Sequence, residues 1–257
     1  MVCDRRRRQI NDLAGARRYK MVRGLSRPRY GYDTVNDDRA ATSNDTSAIR
    51  IWDWPVRLTH WLFVFCITLS WWTAEENVMD WHRYSGYALL GLLVFRIYWG
   101  FAGSSSARFS HFLTGPRGIV AYLREPRESH RDAGHNPLGG WSVAVMLTLM
   151  LAQVLIGLFV SDVDGIESGP LSHLVSFDTS RTLADIHEVV FNVILTFVGL
   201  HIAAILFYLL ARKDNLVVAM LTGHRRNVRV KPMLPVPAWR ILPGIALASG
   251  VVWWIAS

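Results

Sequence analysis

Residues 185–215, DIHEVVFNVILTFVGLHIAAILFYLLARKDN, contain an apolar run long enough to cross a hydrocarbon core, for which an α-helix needs about 20 residues. Within it stand two imidazoles, His187 near the start and His201 near the middle. Ionisable side chains are costly at membrane depth and turn toward a bundle interior, a partner or a cavity. Fourteen residues of helix rise about 21 Å and turn through about 1,400°, which leaves the two histidines within about 40° of one face. One helix therefore offers an imidazole at each of two depths.

Other stretches approach the same length: residues 56–72, 82–101 and 138–160 join 183–210 as spans, and a shorter fifth, 239–256, contains Pro243. Hydrophobic residues make up 51% of the 257-residue chain; gathered into these runs, they predict an all-α integral membrane protein, a four-helix transmembrane bundle plus a fifth C-terminal transmembrane helix. Trp52, Trp54, Trp71, Trp72, Trp81, Trp99, Trp141, Tyr208 and Trp239 fall at span ends, where an interfacial aromatic belt belongs.

A formal charge of +8 raises the question of nucleic acid, but the basic residues are sorted by loop. Residues 1–50 hold twelve Lys or Arg, 102–137 five and 211–240 seven, whereas 73–81 has Glu75, Glu76 and Asp80 with none, and 161–185 has Arg181 alone. This is the positive-inside pattern, with the N-terminus and the basic segments cytoplasmic and the acidic loops outside. A phospholipid membrane is the expected partner and nucleic acid is not. Cys3 and Cys66 offer no disulfide framework or metal-type pairing, and the absence of CxxCH excludes covalently attached haem.

Residues 1–48 lack hydrophobic periodicity and are rich in charge, Ser and Thr, which predicts a disordered basic tail. The basic clusters could adhere to anionic lipid, serve as an orientation signal, or precede a true initiator at Met21. Residues 49–226 form the transmembrane domain, and 227–257 a linker and the extra helix. Between the second and third spans, Phe109, Phe112, Leu113, Ile119, Val120 and Leu123 suggest one short amphipathic interfacial helix. Asn136 is a candidate N-cap, with Pro137 at the first helical position. The 161–185 loop is long enough to be a partner-docking surface.

Of nine histidines, His60, His82, His187 and His201 lie in or at the edge of spans. Singly, each could be a helix–helix hydrogen-bond donor. Their depths argue for more. His60 begins an outward-running span and His201 lies deep in an inward-running one, while His82 and His187 both lie toward the outer side. The depths pair His60 with His201 and His82 with His187, and facing imidazoles on neighbouring helices suit a bis-histidine haem. Zinc is a weaker candidate, since no Cys or carboxylate completes either pair. Arg57, one turn before His60, and Arg96, fourteen residues after His82, are candidate partners for haem propionates. Snorkelling to lipid headgroups is the competing account of both. Gly86 and Gly157 could admit a flat macrocycle or simply close helix packing.

The series RIWDWPVRLTHWLFVF, WHRYSGYALLGLLVFRIYWGFAGSSSARFSHFLTGPRGIVAYL, GHNPLGGWSVAVMLTLMLAQVLIGLF, IHEVVFNVILTFVGLHIAAILFY and RKDNLVVAMLTGHRR, spanning about residues 49–226, resembles the bacterial/Ni-hydrogenase cytochrome b561 family. The resemblance implies a multi-pass protein of the bacterial inner (plasma) membrane that holds two non-covalent haem b groups, with the four axial histidines falling on His60, His82, His187 and His201. It implies respiratory electron transfer between a redox partner, hydrogenase-like or cytochrome c, and the quinone/quinol pool. A haem-free transporter or scaffold with the histidines as proton relays is the alternative from another class. The long basic tail and the extra C-terminal span depart from the family pattern.

Overall fold

The computed structural model describes residues 48–124, 137–225 and 233–257. The tail before residue 48, the Asn136 cap and the start of the 227–257 linker fall outside them.

The first long helix, α1 (Trp54–Glu75), starts where Asp53 caps it, its Oδ1 accepting the Val56 N–H at 3.0 Å. Pro55 in the first turn needs no donor there. The helix stops at Asn77, whose left-handed backbone (φ 56°) lets the Asn77 and Val78 N–H groups donate back to Ala74 and Thr73, the closing pattern of a Schellman motif. The chain reverses at once into α2 (Met79–Ala102). This tight hairpin fixes which residues of α1 face which of α2.

Two short helices follow where one was expected, α3 (Phe109–Phe112) and α4 (Pro116–Arg124). Leu113 is already extended, and the residue before a proline avoids helical backbone, so Gly115–Pro116 divides the amphipathic stretch. Phe109 and Phe112 also turn away from an interfacial role: Phe112 is buried, and Phe109 lies against Phe101 at 5.4 Å between ring centres.

Helix α5 (Pro137–Gly157) pairs with α6 (Phe177–Ala211), and α6 begins six residues before the expected 183 because Ser176 caps it, accepting from the Thr179 N–H at 3.2 Å. The exposed loop between them is shorter accordingly and carries an isolated antiparallel bridge, Ser161 to Ser168. A short α7 (Leu216–Thr222) follows, and after a 3₁₀ turn (Ala238–Arg240) α8 (Ile241–Ala256) packs along α2, where Tyr98 Oη donates to the Arg240 carbonyl at 2.9 Å.

Among the described residues, four segments are long and apolar enough to cross a membrane: α2, α5, α6 and Ala238–Ala256. The first expected span forms α1, 22 residues long, with Arg57, Thr59 and His60 in its early turns. The bundle buries Phe63 and Cys66 of α1, Leu89, Leu90 and Leu93 of α2, Met150 and Val154 of α5 and Ile194 of α6. Phe65, Leu200 and Leu210 are exposed, with relative exposures of 61–75%; such outward apolar faces suit lipid rather than water.

At one end of the bundle, β1 (Ile49–Arg50) pairs antiparallel with β2 (His224–Arg225). Gly223, at φ 80°, closes α7 and accepts the Ile51 N–H at 2.9 Å and the Trp52 N–H at 3.3 Å. Arg225 adds an ion pair with Asp214. This is the ribbon end; the opposite, turn end carries the Asn77 reversal and the 158–176 loop.

Candidate cofactor-binding site

The α1–α2 hairpin places His60 toward the ribbon end and His82, in the first turns of α2, at the turn end. Helix α6 runs past both levels without a break, and its two histidines meet one partner each. The His60 and His201 ring centres are 6.3 Å apart with their planes at 57°, and those of His82 and His187 are 6.3 Å apart at 75°.

That spacing discriminates between chemistries. A direct N–H···N bond of about 2.9 Å would bring ring centres to about 5.2 Å. Two imidazoles ligating one metal atom from opposite sides, each nitrogen about 2 Å from it, have centres about 6.3 Å apart, against about 5.1 Å at a tetrahedral angle. Both pairs fit the second arrangement. Among the described residues no three His, Cys, Asp or Glu side chains gather as a metal site, so each pair offers two ligands, as an iron equatorially held by a macrocycle requires.

The pairs are held differently. At the turn end His82 Nδ1 lies 2.9 Å from the Ser70 carbonyl. A carbonyl only accepts, so Nδ1 carries the proton and Nε2 keeps its lone pair. His187 Nδ1 is buried near the Gln153 carbonyl without a hydrogen bond of good geometry. Gly157 presses on that ring: a Cβ there would come 2.9 Å from His187 Cε1. A Cβ on Gly86, one turn from His82, would meet nothing within 4 Å. At the ribbon end, His60 meets Trp61 edge-on at 5.3 Å, and among the described residues neither His60 nor His201 has a ring hydrogen bond.

Neither arginine is brought against an imidazole. Arg57 donates from one terminal nitrogen to the Leu221 carbonyl at 2.6 Å, and its Nε is buried with no acceptor. Arg96 does not snorkel. It is buried, donates to the Ala107 carbonyl at 3.3 Å and sits 5.3 Å from the centre of the Phe109 ring.

The residue most plainly missed in the sequence is Asp53, buried while capping α1. Its Oδ2 accepts from Trp99 Nε1 at 2.9 Å and Ser104 Oγ at 2.6 Å, which ties α1, the end of α2 and the following loop together beside Arg96. The signal was an acidic residue two positions before Pro55, an N-cap signature. Ser70, Ser85 and Gln153 were visible as polar residues inside apolar runs, where such groups find partners on other helices.

A bundle of membrane-length helices with facing histidines on α1, α2 and α6 puts the chain in the class of helical membrane proteins. The family model for prokaryotic cytochrome b561 matches residues 51–223, and the chain belongs to that family. A similar protein is the probable Ni/Fe-hydrogenase B-type cytochrome subunit of Rhizobium leguminosarum bv. viciae, 25% identical over 232 residues that cover 75% of this chain and 97% of the relative. No solved structure matches the chain. Family and helices together make it a multi-pass bacterial membrane cytochrome of the b type, which sets the haem-free transporter aside.

Proposed function

We propose that the chain is a di-haem cytochrome b that conducts electrons across the plasma membrane, one non-covalent haem b at each imidazole pair. The supporting observation is the equal 6.3 Å spacing of two pairs set at two depths by one continuous helix. His60 and His201 would hold the haem at the ribbon end, and His82 and His187 the one at the turn end. Bound there, haem would supply a one-electron Fe(III)/Fe(II) couple.

The chain's own residues do the rest. Helix α6 sets the two levels about 21 Å apart along its axis. Between them Phe63, Leu93, Met150 and Ile194 form an apolar layer that keeps water from following. Arg57, with a buried Nε lacking an acceptor, is the propionate partner at the ribbon end, and buried Arg96 adds positive charge there. By the distribution of basic residues the ribbon end and the N-terminus are cytoplasmic and the turn end is outside.

On this reading electrons pass between an outer redox protein and the quinone pool. The name of the Rhizobium relative favours a hydrogenase-type partner over a cytochrome c, and adjacent hydrogenase genes would support that choice. The cofactor reading is tested on the purified protein by haem extraction and a dithionite-reduced minus oxidised spectrum. The expected result is a b-type α-band with two haems per chain, falling to one in each of His60→Ala, His82→Ala, His187→Ala and His201→Ala. No α-band in the wild type ends the reading, and a variant that keeps both haems removes its residue from the ligand set.

A further inference from the structure

We infer that Ser70 and Ser85 are positioning residues for His82: their hydroxyls join across the α1–α2 hairpin and hold the Ser70 carbonyl against the imidazole, setting the orientation and electron donation of that ligand. The inference rests on the di-haem reading. Its geometry is a closed ring of contacts. Ser70 Oγ and Ser85 Oγ lie 2.5 Å apart, Ser85 Oγ also approaches the His82 carbonyl at 2.8 Å, and His82 Nδ1 lies 2.9 Å from the Ser70 carbonyl.

Ser85 is 3% exposed and Thr73, whose hydroxyl reaches the same Ser70 carbonyl at 3.2 Å, is 1% exposed. Ser85 and Thr73 are therefore shielded from water, and a hydrogen bond counts for more where water is excluded. The single serine–serine proton can serve only one of the two oxygens at a time. If Ser85 donates to the His82 carbonyl, Ser70 donates to Ser85, and every polar atom of the ring is satisfied with no spare donor.

A hydrogen bond from the far nitrogen of a ligating imidazole makes the near nitrogen a better donor. Better donation favours Fe(III) over Fe(II), so the clasp lowers the potential of the turn-end haem, while the Nδ1 proton stays on His82 in both states. His60 and His201 have no such bond among the described residues. The two sites therefore differ in sign-determined fashion: the turn-end haem is the lower-potential one as far as ligand donation decides, which favours electron flow toward the ribbon end.

The test uses the full-length protein in detergent, with Ser70→Ala, Ser85→Ala and the hydroxyl-retaining Ser70→Thr. A potentiometric titration followed at the α-band resolves the two couples, and His82→Ala, which keeps only the ribbon-end haem, identifies them. Low-temperature electron paramagnetic resonance reports the angle between the axial imidazole planes, 75° at the turn end and 57° at the ribbon end. Both alanine variants are expected to raise the turn-end couple by about a tenfold change in oxidised-to-reduced ratio, 59 mV for one electron. They should shift its resonance signal and leave the ribbon-end couple in place, and Ser70→Thr, which keeps the hydroxyl that Ser70→Ala removes, should keep the wild-type couple. Loss of the turn-end haem alone from Ser85→Ala supports the same role. Two haems with unmoved potentials, equal shifts of both couples, loss of both haems, or a Ser70→Thr couple that moves as that of Ser70→Ala does overturns it. A wild type without two haems instead overturns the function reading on which it stands.

Discussion

The two imidazole pairs share one spacing and are secured in opposite ways. The turn-end pair is held from behind, by the Ser70 carbonyl at His82 and by Gly157 at His187. The ribbon-end pair has no hydrogen bond to its rings among the described residues and depends on the frame around it: the Asp53 cap, the β1–β2 ribbon and the Gly223 carbonyl. One pair is held at its rings and the other by the surrounding fold. Damage to ligand contacts should therefore read out at the turn end, and damage to the frame at the ribbon end.

The largest effect is expected at Gly157. A valine there would drive its branched carbons into the His187 ring, from which even a Cβ would be 2.9 Å away, and a packed interior does not yield that space cheaply. Gly157→Val should lose the turn-end haem and keep the ribbon-end haem, as read by haem content and the surviving α-band. Gly86→Leu sharpens the point. Its Cβ meets no protein atom within 4 Å, so circular dichroism should report unchanged helix content, while the turn-end haem is lost if the macrocycle fills that space. Full haem in Gly86→Leu would place the ring elsewhere.

Next in size is Asp53→Ala. It removes an N-cap, worth about 1 kcal/mol, and leaves Trp99 Nε1 and Ser104 Oγ without their acceptor, at about 1–3 kcal/mol for a buried group. A loss of about 3 kcal/mol is expected, seen as a lower thermal midpoint in detergent, with the ribbon-end haem released before the turn-end haem. Release in the reverse order would break the division between the two ends.

The sequence made α6 and its two histidines readable, because an apolar run and a helical period are local properties. The pairing of depths could be reached as well, since charge in the loops orients every span at once. What could not be read depends on contacts far apart in the chain. Arg96 looked equally able to reach lipid until Phe109 and the Ala107 carbonyl closed over it. Ser70 and Ser85 carry no local mark of being partners; the Asn77 reversal sets the hairpin register that joins them. The start of α6 was placed late because Ser176, Asp178 and Thr179 form a polar first turn that carries a cap but no apolar period.

A smaller effect is expected at Gly223, where left-handed backbone at φ 80° combines with close approach: a Cβ would come 2.9 Å from the Trp52 carbonyl oxygen and 3.1 Å from a terminal nitrogen of Arg57. Gly223→Ala should cost about 1–2 kcal/mol. Because the same contact carries Arg57, the loss should again appear first as weakened haem retention at the ribbon end under mild detergent heating. Equal weakening of both haems would mean that the ribbon serves the whole bundle.

The smallest effect is expected at Arg83, the turn end's own ion pair, which reaches both Asp80 and Glu167, the latter at 3.4 Å. It ties the start of α2 to the long loop before α6 and so looks like the turn end's answer to the ribbon. Its side chains are 38–73% exposed, however, and exposed pairs of that kind contribute about 0–1 kcal/mol because water and salt screen them. Arg83→Ala should leave the thermal midpoint within about 0.5 kcal/mol of the wild type, with both haems and both potentials unchanged. A turn-end potential that moved with Arg83 would show that the 158–176 loop, and not the serine clasp alone, sets the field at His82. That would make the turn end, like the ribbon end, a site built by its frame.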